Sequence, residues 1–441
     1  MRIVVVGAGL AGLTAAELLH NAGCDVIVLE ASNRVGGRAY TRSAEFINGQ
    51  GAEAGAEWVD NVHTRMRALV ERFGLRMDDN ATTWTAIRRW LFRDGALLGP
   101  ADLARLDPQL GDELDRLEDF FASVAAGVSD AAHPAQHPQA AHYDSLSAAD
   151  IVDQLELGEL ARLFATRNMQ GEFAAEPHEV SALFVAQQRA LYEAAATPHG
   201  EVVAQRIVGG VSGVTAGLAS ALPQGMIRFG ETVDAITIDA TGAHVGAGAN
   251  TYHADQVVLA CSLVPLRAVV FDPPLPSELA AAVHGLGYGR VTKTALQYPE
   301  RVWPAGYATT TGRAQRVYEP TVGHPAESGI LMGYTGGEGG TRLADLAESV
   351  RMREIELSQR EMYPALPPPL GGFSQAWSGL VLFGGSYAVY RPGEITRFWD
   401  VLRQPHGCIH FAGEHTATWT GYLEGAVESG ETVASRLLAN R

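Results

Sequence analysis

Between residues 7 and 12 the chain reads Gly7-Ala8-Gly9-Leu10-Ala11-Gly12, set between an apolar run, Ile3 to Val6, and a helical stretch. Such a turn can cradle phosphates. Gly7 permits a tight bend, Gly9 lets backbone approach a pyrophosphate, and Gly12 lets the helix pack closely on the strand. The helix start adds free N–H groups and a partial positive charge. Glu30 closes a second apolar run, Asp25 to Leu29, where its carboxylate can accept hydrogen bonds from a ribose diol. Strand, turn, helix and acid together point to dinucleotide binding. Arg34-Val35-Gly36-Gly37-Arg38 comes next, and its paired glycines make a compact turn that lets Arg38 offer a planar charged fork to a diphosphate. An ordinary turn with two solvated arginines is the plain alternative for this run. Far downstream lies the one lysine of the chain, Lys293, among 33 basic residues. An ammonium can hold a water where a bulky guanidinium cannot, and its pKa shifts readily on burial.

The elements that must position these residues can be read from periodicity. The N-terminus is a βαβ unit with a helix from Ala11 to about Asn21, ended by Gly23. Met66, Leu69, Val70 and Phe73 share one face of a helix from Thr64 to Phe73, stopped by Gly74. Residues 80–200 read as mostly helical, interrupted by an Ala/His/Pro stretch (Ala131 to His142) expected to be a surface loop or small lid. Residues 202–290 return to alternation: a helix over Val211 to Leu222, strands within Ile227 to Ile238, and an apolar run from Gln256 to Ala260. Aromatic and Gly content over 290–400 suits strands around a cavity. Cys408 to Ala439 reads as strand, Gly-rich turn and long helix.

At 441 residues the chain can bury two or three cores. A formal net charge of −17 argues against nucleic acid as a partner. It would concentrate small cations, although simple solubility explains it equally well. Cys24, Cys261 and Cys408 are widely spaced in apolar surroundings, which suggests buried thiols in a reducing compartment, with no disulfide framework and no metal site. Neither a signal peptide nor a membrane span is read, so a cytoplasmic location is expected.

The Arg34–Arg38 run resembles the RxGGR segment that follows the βαβ unit in flavin amine oxidases, where it touches FAD. His410-Phe411-Ala412-Gly413-Glu414 and Thr420-Gly421-Tyr422-Leu423-Glu424-Gly425-Ala426 resemble the second flavin motif of that family. The likeness is strong at both ends and weak in the middle. It implies an α/β fold: a Rossmann-like FAD-binding domain from residues 1–79, 201–289 and 401–441, interleaved with an α+β substrate-binding domain from 80–200 and 290–400. Gly413, Glu414, Gly421 and Leu423 would join the N-terminal motifs and Val233 in holding FAD. The helix start near Leu423 would stabilise negative charge on the reduced ring. Tyr387 and Tyr422 fall where the family holds two facing aromatic rings before the flavin, and Trp377 where it holds a nearby tryptophan. Mammalian members bind flavin through a cysteine in the slot of Ser386; serine cannot, so FAD is expected to be non-covalent. Asp60 and Glu57, in a stretch like the one that wraps the flavin in polyamine oxidases, are candidate amine anchors. A solvated loop charge is the competing reading for each, and His63 reads as structural. Lys293, on a strand spanning Arg290 to Leu296, matches the family lysine that reaches flavin N5 through water.

The expected reaction is hydride transfer from the carbon alpha to an amine onto flavin N5, giving an imine, with oxygen reoxidising the flavin to yield hydrogen peroxide. The expected partners are a small-molecule amine and oxygen, with a homodimer left open. Three alternatives stay open. One is an L-amino-acid oxidase, which needs a cavity arginine such as Arg391, Arg88 or Arg316 to grip a carboxylate. Another is a biosynthetic oxidase acting on a natural-product amine or amide. The third is a flavin-binding module without turnover.

Overall fold

The computed structural model describes residues 1–80 and 89–439. Its first layer is a five-stranded parallel sheet in the order Ile409–Phe411, Gln256–Leu259, Arg2–Val6, Asp25–Glu30, Ile227–Phe229. Ile3, Val4 and Val5 are all buried, because both faces of a parallel sheet are covered. Ile3 and Val5 enter a core with the helices Leu10–Asn21 and Leu423–Ala439. Val4 and Val6 enter another, shared with Ile236, Val245 and Ala254 of the adjoining four-stranded sheet. The turn into the first helix depends on Gly12, where a Cβ would lie 2.0 Å from the carbonyl oxygen of Gly7 and 3.2 Å from the Ala260 Cβ.

The second layer is a seven-stranded sheet in the order Gly371–Ala376, Thr292–Tyr298, Gly329–Thr335, Arg316–Tyr318, Tyr307–Thr310, Arg89–Arg93, Ala96–Leu98. Every residue of the Thr292–Tyr298 strand is buried, so Lys293 sits inside the molecule. In the antiparallel register Lys293 faces Tyr334, and Tyr334 faces Arg316. Facing residues of a ladder point to the same side, so these three form one row across the sheet.

Three expectations change. The 80–200 region is largely helical (Leu110–Ala125, Glu159–Glu172, Ala182–His199) but also gives the large sheet its last two strands, Arg89–Arg93 and Ala96–Leu98. Their period-2 pattern is too short to stand out among helices. The 290–400 region holds helices Gly337–Ala344 and Glu348–Met362 as well as strands. Ala131 to His142 is no lid. It contains a 3-10 turn, Pro134–Gln136, and starts the helix Ala140–Ser145. The segment is pinned to the body: the carbonyl of Ala132 accepts from Trp399 Nε1 at 2.8 Å, and that of Ala131 from Gln187 Nε2 at 3.0 Å.

The packing at Gly12 has a measurable consequence. Gly12→Val should cost about 1–3 kcal/mol or more through overpacking, whereas Gly9→Ala, with no atom within 4 Å of its Cβ, should be milder. Comparison of the two thermal midpoints checks this, and equal losses would contradict the close-approach argument.

Candidate active site

One continuous cavity of about 790 Å³ runs from the N-terminal glycine turn to the large sheet. At one end it is lined by Gly7, Gly9, Glu30, Gly36, Gly37, Arg38 and Val233, and by Gly413, Glu414, Gly421 and Leu423. Glu30 is fixed there by Ala8 N at 2.7 Å and Ser32 N at 2.9 Å. Arg38 Nη1 lies 2.9 Å from Glu414 Oε1 but off the hydrogen-bonding axis, which leaves a buried donor unanswered. Glu414 also accepts from Ala388 N at 3.1 Å and Gly421 N at 2.9 Å, tying three distant segments together. The first helix starts at Gly9 with no side-chain cap. An open helix N-terminus, an unanswered guanidinium and a glycine-lined cradle fit a dinucleotide pyrophosphate. Gly12 and Arg34 stand outside this lining. Arg34 clamps the turn from behind, donating to Val35 O at 3.1 Å and Gly37 O at 2.8 Å with its fork 3.8 Å over the Tyr40 ring.

At the centre is Lys293. Its Nζ donates to Glu57 Oε2 at 2.8 Å and to Gly55 O at 3.0 Å. Glu57 also accepts from Arg206 Nε at 2.6 Å and from the Tyr318 hydroxyl at 2.6 Å. Burial alone would raise the Glu57 carboxyl, but Lys293, Arg206 and these hydrogen bonds outweigh it and hold the group at about 2. Glu57 is therefore neither a solvated loop charge nor an amine anchor, since its two oxygens are committed to the lysine, the arginine and the tyrosine. Trp377 is fully buried beside it, donating to Ala54 O at 2.8 Å. A Cβ on Gly55 would strike Arg38 O at 1.8 Å and the Trp377 ring at 3.1 Å, so glycine at 55 lets this loop pass between them.

Beyond Lys293 the cavity becomes aromatic. The Tyr387 and Tyr334 hydroxyls both reach Gly171 O, at 3.1 and 3.2 Å, and the Tyr422 hydroxyl donates to Glu172 Oε1 at 2.6 Å. Tyr387 and Tyr422 are thus held by consecutive residues at the end of one helix. Both flank Gly421, with the Tyr387 ring 3.1 Å from where a Cβ there would sit. Tyr422 packs against Tyr192, Trp419 and His63 at ring-centroid separations of 5.7, 5.7 and 5.4 Å. Burial pushes the phenols of Tyr387, Tyr422 and Tyr192 well above their usual range, so they stay protonated donors. Asp60 is buried, not solvated, and accepts from Tyr192 at 2.8 Å while its Oδ1 has no partner. Burial raises its carboxyl to about 6 despite the Tyr192 bond. His63, beside it, is pushed down to about 3 by burial and is neutral.

Sequence reasoning missed Glu172, Tyr192, Tyr334, Arg206 and Tyr318. None sits in a glycine motif; only the pairing of the Lys293 strand with its neighbours would have shown Tyr334. Of the proposed carboxylate-binding arginines, Arg316 lines the cavity. Arg391 is bound to Glu394 and lies away from it. Arg88 lies outside the described residues.

Residues 10–438 match the family model for flavin containing amine oxidoreductase. The chain is 30% identical to flavin-containing amine oxidase B of Sus scrofa over 99% of its length and 86% of that protein, and 28% identical to the Homo sapiens enzyme with the same coverage. Among solved structures it is similar to cyclohexylamine oxidase from Brevibacterium oxydans IH-35A (25% identity, TM-score 0.87, 100% and 99% of the two chains). It is equally covered by wild-type putrescine oxidase bound to putrescine, at 25% identity and a TM-score of 0.85. This chain belongs to the flavin-containing amine oxidoreductase family. It is an enzyme that oxidises amines with FAD and oxygen. The flavin is held without a covalent bond; Ser386 offers no sulfur at the cavity wall, and the nearby Cys261 thiol is pushed up to about 12 by burial. Among the described residues no helix is long and apolar enough to cross a membrane.

Asp60 makes stability depend on pH. Folded, its carboxyl keeps a proton up to about pH 6, whereas unfolded it ionises near pH 4. Its stabilising contribution is complete below about pH 4 and is lost as the pH rises through about 6. Glu57 runs the other way, with a contribution present above about 4.5 and lost as the pH falls toward 2. Between pH 4.5 and 7 wild type should therefore lose roughly 2 kcal/mol relative to Asp60→Asn. Thermal midpoints of both proteins at pH 4.5 and 7 test this; a constant gap would remove Asp60 as the cause.

Proposed function

We propose that this enzyme oxidises a small primary amine whose nitrogen passes between Tyr387 and Tyr422 to meet the flavin beside Lys293. A cofactor lobe of residues 1–79, 201–289 and 401–441 and a substrate lobe of 80–200 and 290–400 divide the work. The partition of the strands supports this, since the five-stranded sheet is built from the first set and the seven-stranded sheet from the second. The observation that carries the reading is the single cavity that joins Arg38, Lys293, Tyr387 and Tyr422. When bound, FAD accepts a hydride from the carbon next to nitrogen and passes the electrons to oxygen as hydrogen peroxide.

The side chains do the rest. Gly36, Gly37, Arg38 and the start of the first helix hold the diphosphate, Glu30 the ribose, and Val233 lines the same end of the cavity. Gly413, Glu414, Gly421 and Leu423 close the other side. Lys293, held in place by Glu57, presents an ammonium that can hold a water or attract reduced oxygen. The phenols of Tyr387 and Tyr422 orient the amine nitrogen, and the aromatic wall of Tyr192 and Trp377, backed by Trp419, excludes water. Three free thiols suit a reducing, cytoplasmic setting. A module without turnover would have no use for a buried lysine held at the cavity centre.

Anaerobic mixing with a panel of amines should bleach the flavin band, and no bleaching by any of them would refute amine oxidation. Acid precipitation should release all yellow colour into the supernatant; a yellow pellet would mean a covalent link. Lys293→Met should slow reoxidation of the reduced flavin by oxygen roughly tenfold or more, a loss of at least about 1.4 kcal/mol in transition-state stabilisation. Stopped-flow oxidation measures it, and an unchanged rate would remove the lysine from the oxygen reaction.

A further inference from the structure

Several charges lining the cavity sit in ion pairs. Lys293 pairs with Glu57, which Arg206 also meets from outside the lining, and Arg189 pairs with Glu118; Arg38 lies beside Glu414 with its Nη1 donor left for the diphosphate. At the cofactor end Glu30 and Glu231 lack an ion-pair partner; toward the large sheet two lining residues of opposite sign, Arg316 and Glu172, also have none within 4.0 Å among the described residues. Arg316 Nη2 donates only to neutral oxygens, the Arg167 carbonyl at 3.0 Å and Asn168 Oδ1 at 3.3 Å. Glu172 accepts from the Tyr422 hydroxyl at 2.6 Å.

The two charges flank the same residue. The Arg316 guanidinium fills the space over Gly171, its Cζ only 2.1 Å from where a Cβ at 171 would sit. Glu172 is the next residue, and the Gly171 carbonyl between them holds Tyr387 and Tyr334. Through the register row Lys293–Tyr334–Arg316, Arg316 stands two strand spacings from Lys293, roughly 10 Å along the sheet. The cationic charge is felt locally: Arg89, already lowered by burial, is lowered further by Arg316.

From this arrangement we infer that the substrate carries an acid group as well as its amine, with the amine at Glu172 and Tyr422 and the carboxylate on Arg316 and Asn168. The inference rests on the amine-oxidation reading and narrows it. A plain alkylamine entering the cavity would strip water from Arg316 and give nothing back, which is costly for a guanidinium. A carboxylate answers it with two parallel charge-assisted hydrogen bonds. Glu172 and Arg316 then each meet an opposite charge, and the tyrosines still meet the nitrogen. Arg316 is thus assigned as a specificity residue for the acid group.

The test uses the holoenzyme and four five-carbon amines: pentylamine, cadaverine, 5-aminopentanoate and norvaline. In anaerobic rapid mixing, one of the two acid-bearing amines should reduce the flavin roughly tenfold or more efficiently than pentylamine or cadaverine, the worth of a hydrogen bond to a charged group. Arg316→Met should abolish that advantage by weakening binding of the acid-bearing compound, and Arg316→Lys should restore part of it. Glu172→Gln should weaken all four amines. A preference for pentylamine or cadaverine in wild type would overturn the inference, as would equal weakening of all four by Arg316→Met. If no amine reduces the flavin, amine oxidation itself fails, and a titration with pentanoate followed by flavin absorbance decides the acid site alone. Binding to wild type that weakens at least tenfold in Arg316→Met supports it; no binding to wild type overturns it.

Discussion

A carboxylate enclosed by protein holds its charge only while cations and donors replace the water it has lost. Glu57 meets that condition with Lys293 and Arg206 on either side and the Tyr318 hydroxyl beside them. These four residues come from four separate segments, so their meeting fixes how the loop after the glycine turn lies against the large sheet. Removing Glu57 would leave the buried Lys293 ammonium and Arg206 without their counter-ion, a loss typically of about 3–5 kcal/mol. The same contacts set the direction of the lysine. With Glu57 and the Gly55 carbonyl holding it, the ammonium is aimed where the loop passes between Arg38 and Trp377. Placement of the reactive end of the cavity therefore follows from an electrostatic requirement of the interior.

The aromatic side depends on a different device. Tyr387 and Tyr422 both lie beside Gly421, and both are steered by one helix end, through the Gly171 carbonyl and the Glu172 carboxylate. A small shift of that helix end would turn both rings together. Asp60 and His63 lie further back, both buried and both with an unpartnered atom, Oδ1 and Nε2. The wall before the flavin is thus tuned by hydrogen bonds to the phenols, while ring packing supplies its rigidity.

How much of this was legible in the sequence differs sharply between the two ends of the cavity. The cofactor end is read by backbone geometry, which glycine spacing reports directly. Gly7 to Gly12 and Gly36 to Arg38 line or shape the cradle because few other residues fit those turns. The substrate end is built by side chains that converge from strands and helices far apart in sequence. Lys293 could be found because it is the one lysine on a recognisable strand. Tyr334 and Arg316, its neighbours across the ladder, could not, because register is not written in any local pattern. Glu172 lies at the end of an ordinary amphipathic helix, and Glu57 reads as an amine anchor or a loop charge because its partners are about 150 and 240 residues away in the chain. The Ala131–His142 stretch misled for the same reason: its composition is that of a loop, and only its long-range contacts to Trp399 and Gln187 pin it down.

The parallel sheet takes its edge strand, Ile409–Phe411, from the far end of the chain, next to the strand Gln256–Leu259. Glu414, Gly421 and Leu423, which close the cradle, follow that strand directly. During synthesis the glycine turn leaves the ribosome some four hundred residues before its counterpart, so the half-cradle must wait with an open sheet edge and an unclosed core. Flavin capture therefore waits for the second half of the cradle, and the cofactor seals the fold more than it seeds it. A truncated or stalled product would expose the Gln256–Leu259 edge, which makes incomplete chains the aggregation-prone species of this protein.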